Sequence, residues 1–138
     1  MQWIFYCPKC GAAVNPGGVV TLIASRGSVT MLIGFNPEPG NYDLYLPPGI
    51  ALPPGTEWIF SCPVCRTDLA CADHAKLCEL VLMVGTERRR LLFSRVAGEQ
   101  ATYILRGDAM LVERHGEHSD RYDDTVRLKR QRPEELDQ

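Results

Sequence analysis

Trp3-Ile4-Phe5-Tyr6-Cys7-Pro8-Lys9-Cys10 and Trp58-Ile59-Phe60-Ser61-Cys62-Pro63-Val64-Cys65 are two versions of one eight-residue phrase. In each, an apolar triplet of β-branched and aromatic residues suits an extended strand. The strand feeds a Cys-Pro-x-Cys turn whose proline sets φ where two sulfurs must converge. Two such turns supply four thiolates, the ligand set of a tetrahedral zinc site. The pattern predicts one zinc ion held by Cys7, Cys10, Cys62 and Cys65. A zinc with four protein thiolates has no open coordination position, so its predicted role is structural. Iron is the other metal such a set suits, and it would colour the protein.

The surrounding composition is that of a folded body. A chain of 138 residues can bury a real core, so the metal adds to that core and does not replace it. Hydrophobic residues make up 45%, while a formal net charge of −2 offers no general attraction for nucleic acid or an anionic membrane. The chain opens directly on the first predicted strand, without the basic and apolar regions of a signal peptide, and no apolar run is long enough to span a bilayer. These features lead to the expectation of a cytoplasmic protein. Six cysteines would suit a disulfide scaffold in a secreted chain, but pairs spaced for ligation without an export signal point to metal.

Between the turns the pattern is β-rich. Val19 to Ala24 and Val29 to Ile33 are partly alternating runs joined across Ser25-Arg26-Gly27-Ser28, which reads as a hairpin. Tyr42 to Leu46 is a further short run between proline-glycine breaks. Past the second turn, Leu77 to Val84, Leu91 to Val96 and Ala101 to Leu105 are strand-length, with Met110 to Val112 as a short fourth, and a meander is the simplest arrangement. Only Thr67 to Leu77 has helical composition, with Asp68 or Asp73 able to cap a turn or two. Apart from the doubled cysteine turn, no internal repeat is visible. The expected architecture is all-β: a single zinc-clamped domain over 1–112, with knuckles at 3–11 and 58–66, a β insert at 12–57 and a meander at 77–112. From Glu113 to Gln138 there are 14 charged residues in 26, and this segment is expected to be a charged tail that orders on a partner.

Other candidate residues are weaker. Cys71, His74 and Cys78 would share a helical face and could recruit His115 or His118 to a second metal site, but free cysteines are also common as small buried residues. Replacement of Cys71 and Cys78 is expected to leave metal binding intact. Arg88-Arg89-Arg90 falls in an expected hairpin turn and Arg127, Lys129, Arg130 and Arg132 cluster near the end; either group could contact phosphates, although acidic residues interleave both. No catalytic set emerges: the serines lack a nucleophile-elbow context and no glycine-rich phosphate loop is present. Thiol redox chemistry is the competing use of Cys-Pro-x-Cys, but both copies follow strands and no βαβ unit is visible.

The pair Cys-Pro-Lys-Cys-Gly and Cys-Pro-Val-Cys resembles zinc ribbons, and the proline-containing form with a long insert resembles the bacterial CPxC-type zinc-ribbon proteins. The likeness covers the two knuckles and, loosely, the chain length. It departs in the 51 residues between the knuckles and in Arg66, which stands where the counterpart of Gly11 would be. The resemblance implies metal ligation, in a family whose members serve in transcription, in translation and as subunits of larger enzymes. The sequence therefore leads to a non-catalytic zinc protein that binds another protein, as an accessory subunit or interaction module. Nucleic-acid binding through the basic segments is the runner-up, thiol redox chemistry is third, and no membrane partner is expected.

Overall fold

Val20, Leu22 and Ala24 alternate with Thr21, Ile23 and Ser25, and a period of two sends the first set into the core and the second outward. In the computed structural model, which describes residues 3–106 and 110–122, this run is strand β2 (Val20–Arg26), preceded by β1 (Ile4–Tyr6). The Gly27-Ser28 turn joins β2 to β3 (Val29–Phe35), and β4 (Leu44–Tyr45) and β5 (Ile59–Ser61) complete a four-stranded sheet in the order β4-β3-β2-β5. The remaining strands are β6 (Leu77–Val84), β7 (Glu87–Ser94), β8 (Thr102–Leu105) and β9 (Leu111–His115). They form a five-stranded sheet with β1, in the order β1-β6-β7-β8-β9. Every pairing is antiparallel. The expected all-β class is what the structure shows, with the meander in place and no α-helix among the described residues.

The two sheets are variations on one unit. Each cysteine turn is entered by a strand that pairs with the hairpin following the other cysteine turn, β1 with β6 and β5 with β2. The register repeats as well. Phe5 stands opposite Leu82 and Phe60 opposite Ala24, so positions 55 apart in the entering strands meet positions 58 apart in the hairpins. Gly27 and Gly85 hold the two hairpin turns at the same φ of 61°, and Phe35 and Phe93 occupy the same place on β3 and β7. The two halves thus repeat one arrangement and exchange edge strands. The signal of this repeat in the sequence is faint because the three-residue difference in spacing shifts the two halves out of alignment beyond the cysteine turns.

The core lies between the sheets, where Phe5, Leu22, Ile33, Phe60, Leu80, Leu82, Leu91 and Ile104 are buried. Phe35, Phe60 and Phe93 meet as tilted or edge-on rings with centroids 5.5, 5.8 and 5.9 Å apart, the arrangement that aromatic quadrupoles favour. Beside them the sheets leave a cavity of about 220 Å³. A smaller cluster on the other side of the five-stranded sheet gathers Cys71, Leu77, Leu92, Tyr103 and Leu105, with Leu111 and Tyr122 against it.

Several local expectations are revised. Thr67 to Leu77 is not helical: Leu69 donates to Phe60 O (2.9 Å) and accepts from Glu79 N (2.8 Å), which holds the start of the segment extended, and Cys71 to Leu77 closes as tight turns. Arg88, Arg89 and Arg90 lie within β7 and not in a turn, because Gly85-Thr86 makes the reversal one step earlier. The charged segment expected from Glu113 begins inside β9, and it continues into a 3-10 turn at Ser119–Tyr122 that packs on the body. His115 and His118 are accordingly held in place: the His118 backbone donates to Gln100 O (2.9 Å) and its Nδ1 accepts from Gln100 N (3.0 Å). Arg127, Lys129, Arg130 and Arg132 lie outside the described residues.

Candidate metal centre

A proline directly after a cysteine has no N–H to contribute, so the next two amides are free to turn back on the sulfur. That is how both turns are built. Lys9 N and Cys10 N point at Cys7 Sγ at 3.3 and 3.5 Å, and Val64 N and Cys65 N point at Cys62 Sγ at the same 3.3 and 3.5 Å. The turns close through Gly11 N to Cys7 O (3.0 Å) and Arg66 N to Cys62 O (2.8 Å). The chain then returns antiparallel to the strand it came from, with Tyr6 bridging Ala13 and Ser61 bridging Asp68. Closing the turn requires positive φ at the residue after the second cysteine, and Gly11 (77°) and Arg66 (65°) both adopt it. An arginine there carries Cβ strain that glycine avoids. Arg66→Gly is expected to leave metal content unchanged and to stabilise the protein slightly, by about 0.5 kcal/mol after the greater unfolded-state freedom of glycine is counted. Denaturant midpoints of the two proteins check this.

The exchanged strands carry the two turns to one point. Cys7 Sγ lies 3.8 Å from Cys65 Sγ and Cys10 Sγ lies 3.8 Å from Cys62 Sγ, and all four sulfurs fall within 4.8 Å of one another. Four sulfurs about 2.3 Å from a central zinc would be about 3.8 Å apart, so the set has the dimensions such an ion needs. Cys7 and Cys62 are buried while Cys10 and Cys65 face solvent, which leaves one edge of the tetrahedron at the surface.

The electrostatics of the set also favour a cation. Burial raises the Cys62 thiol, but the backbone N–H groups of Cys65 and Val64 and the neighbouring sulfurs outweigh it and lower the thiol to about 7. At Cys65 the Thr67 backbone lowers the thiol, yet burial and the three neighbouring sulfurs push it up to about 11. One thiolate is therefore readily formed and repels the next. Four can coexist at these distances only around a positive ion, whose binding expels the protons.

The remaining sequence-level candidates do not join this group. Among the described residues, Cys7, Cys10, Cys62 and Cys65 are the one set of three or more ligand-type side chains close enough to hold a metal, so Cys71, His74 and Cys78 do not assemble a second site. Cys78 is fully buried, and burial pushes its thiol up to about 12. Cys71 is also buried and takes a long contact of 3.6 Å from the Arg90 guanidinium. Arg89 pairs with Glu87 (3.0 Å) and Glu113 (3.7 Å), and Arg90 forms two bonds of 3.0 Å to the Glu79 carboxylate. Two of the three arginines thus face acidic partners on their own sheet.

One supporting residue escapes a reading by motif. Asn15 is buried below the first turn, where its Oδ1 accepts from Phe5 N (2.8 Å) and its Nδ2 donates to Trp3 O (2.7 Å). It ties β1 to the chain that leaves the first turn. In the sequence it shows only as the residue before a Pro-Gly-Gly break. No family model, curated protein or solved structure matches the chain.

Proposed function

We propose that the protein is a non-catalytic zinc-binding interaction module that docks on another protein, in the manner of an accessory subunit. The zinc ion would be held by Cys7, Cys10, Cys62 and Cys65, as the likeness to CPxC-type zinc ribbons implies, and would serve as a clamp because four thiolates leave no position for water or substrate. The observation that carries the docking role is the outer face of the four-stranded sheet. Leu32 (57% exposed), Tyr45 (50%) and Ile59 (43%) stand there around Ile23, and the other register positions are Thr21, Ser25, Thr30 and Ser61. None of these residues is charged, and Asp68, opposite Ser61 at the sheet edge, is the nearest charge on this face.

The repeated arrangement of the two halves allows a comparison. The corresponding face of the other sheet is partly covered by its own apolar cluster and carries Glu79, Arg88 and Arg90 at the positions of Thr21, Thr30 and Leu32. The fold therefore tolerates charge at these positions, and an exposed uncharged sheet face is otherwise a liability for association. Its retention in one half supports an interface with a protein. Leu32→Glu combined with Ile59→Lys is expected to keep the metal and the melting temperature, since both side chains face outward, while abolishing co-purification of the partner seen with the unmodified chain. A partner retained at full yield by the double variant would place the interface elsewhere. A wild-type chain recovered alone and monomeric from its native cells would remove the docking role.

A further inference from the structure

We propose that the cavity between the two sheets is a binding site for a small, neutral aromatic molecule. The inference is independent of the docking role. Protein interiors rarely hold voids larger than a water molecule, and an apolar cavity of about 150 Å³ is already enough to take up benzene. Here about 220 Å³, open to solvent on one side, lies against the Phe35, Phe60 and Phe93 rings, with Leu22, Leu80 and Leu91 among the other apolar side chains of its wall. The three rings already contact one another edge-on or tilted, and a flat ligand can add to that arrangement by the same offset or edge-to-face packing.

The polar groups near the cavity argue that its ligand is uncharged. Arg95 is spent on two carbonyl oxygens, Trp58 O and Ala75 O, each at 2.9 Å. Glu99 is turned to Ser94 Oγ (2.5 Å), Arg121 (2.8 Å) and the Tyr122 hydroxyl, and the Tyr42 hydroxyl is bonded to Thr102 Oγ1 (2.7 Å). Burial alone would raise the Glu99 carboxyl, but these donors hold it below the usual carboxylate range. A ligand that brought a charge inside would find no uncommitted counter-charge and would lose its hydration. Glu38 is an exposed carboxylate at the rim, which disfavours an anion further.

Toluene and benzoate form a matched pair of probes, one ring with a methyl group or with a carboxylate. Thermal melting of the metal-loaded full chain is expected to rise saturably with toluene, by about 5 °C once the site is well filled, and to be unmoved by benzoate at the same concentration. Leu80→Phe places extra carbon in the cavity and is expected to abolish the toluene-dependent rise. Should that variant fail to fold, intermolecular nuclear Overhauser contacts on the unmodified protein decide the matter, since toluene protons are expected to report on the Phe35 and Phe93 rings. No shift up to the solubility limit of toluene, an equal shift with benzoate, a rise that survives Leu80→Phe, or contacts confined to surface residues would each overturn the proposal.

Discussion

Cys62→Ser is expected to empty the metal centre and to abolish cooperative unfolding. Cys62 is fully buried, its sulfur receives two backbone amides, and it sits across the site from Cys10 in the other half of the chain. Serine at this position offers a poor ligand and leaves those two amides turned toward an empty corner. The consequence is larger than the loss of one contact because of the exchanged strands. β1 and β5 are three residues each, too short to hold by ladder bonds alone, and each brings its cysteine turn to the partner half. A metal held by the four cysteines would therefore join the two halves at the point where the backbone pairing is weakest. Structural zinc in small domains is worth about 10–16 kcal/mol, comparable with the whole stability of about 5–15 kcal/mol of a typical domain. Elemental analysis is expected to fall from about one metal per chain to near zero, with the sharp melting transition broadened or lost. Cys71→Ala and Cys78→Ala are the controls, with unchanged metal content expected in both. A serine variant at all four ligand positions that melted like the parent would disprove a structural metal.

Gly116→Ala is expected to destabilise the protein strongly without touching the metal centre. Gly116 has φ of +102°, and a Cβ there would overlap the carbonyl group of Gln100 and lie 2.6 Å from the Tyr42 hydroxyl. Neither obstacle is the tip of a flexible side chain free to swing aside. Gln100 is held on both of its backbone groups by His118, and the Tyr42 hydroxyl is bonded to the buried Thr102. Relief requires the 3-10 turn to lift off the sheet, which also strips Tyr122 from its cluster and breaks the bond between the Tyr103 hydroxyl and Ser119 O. The expected loss is about 3 kcal/mol, or a melting temperature lower by about 10 °C, with the metal retained. An unchanged transition would mean that residues 116–122 do not dock on the body.

That prediction turns on a segment whose composition argues for a tail. Residues beyond Glu113 are dominated by charge, and such a stretch contains too little apolar surface to order by itself. What orders its first part is supplied from elsewhere: β8 offers an edge to β9, and Glu99 offers a carboxylate to Tyr122 and Arg121. A few well-placed partners suffice where composition alone does not. The helical composition of Thr67 to Leu77 misleads for the same reason, since the ladder from Phe60 O through Leu69 to Glu79 overrides a weak local preference.

The clustering of the four cysteines and the β character were legible in the chain because each rests on short-range chemistry. Two sulfurs three positions apart with a proline between can reach one ion, and a period of two marks a half-buried strand whatever lies across from it. The hairpins of β2 with β3 and β6 with β7 belong to the same class, closed by a glycine at the turn. Tertiary structure decided the rest. Which sheet each cysteine turn joins, that the halves trade their entering strands, and that a cavity remains between them all depend on pairings between residues some 35 to 80 positions apart. Such pairings are selected by packing of the assembled core, and no local pattern of residues encodes them.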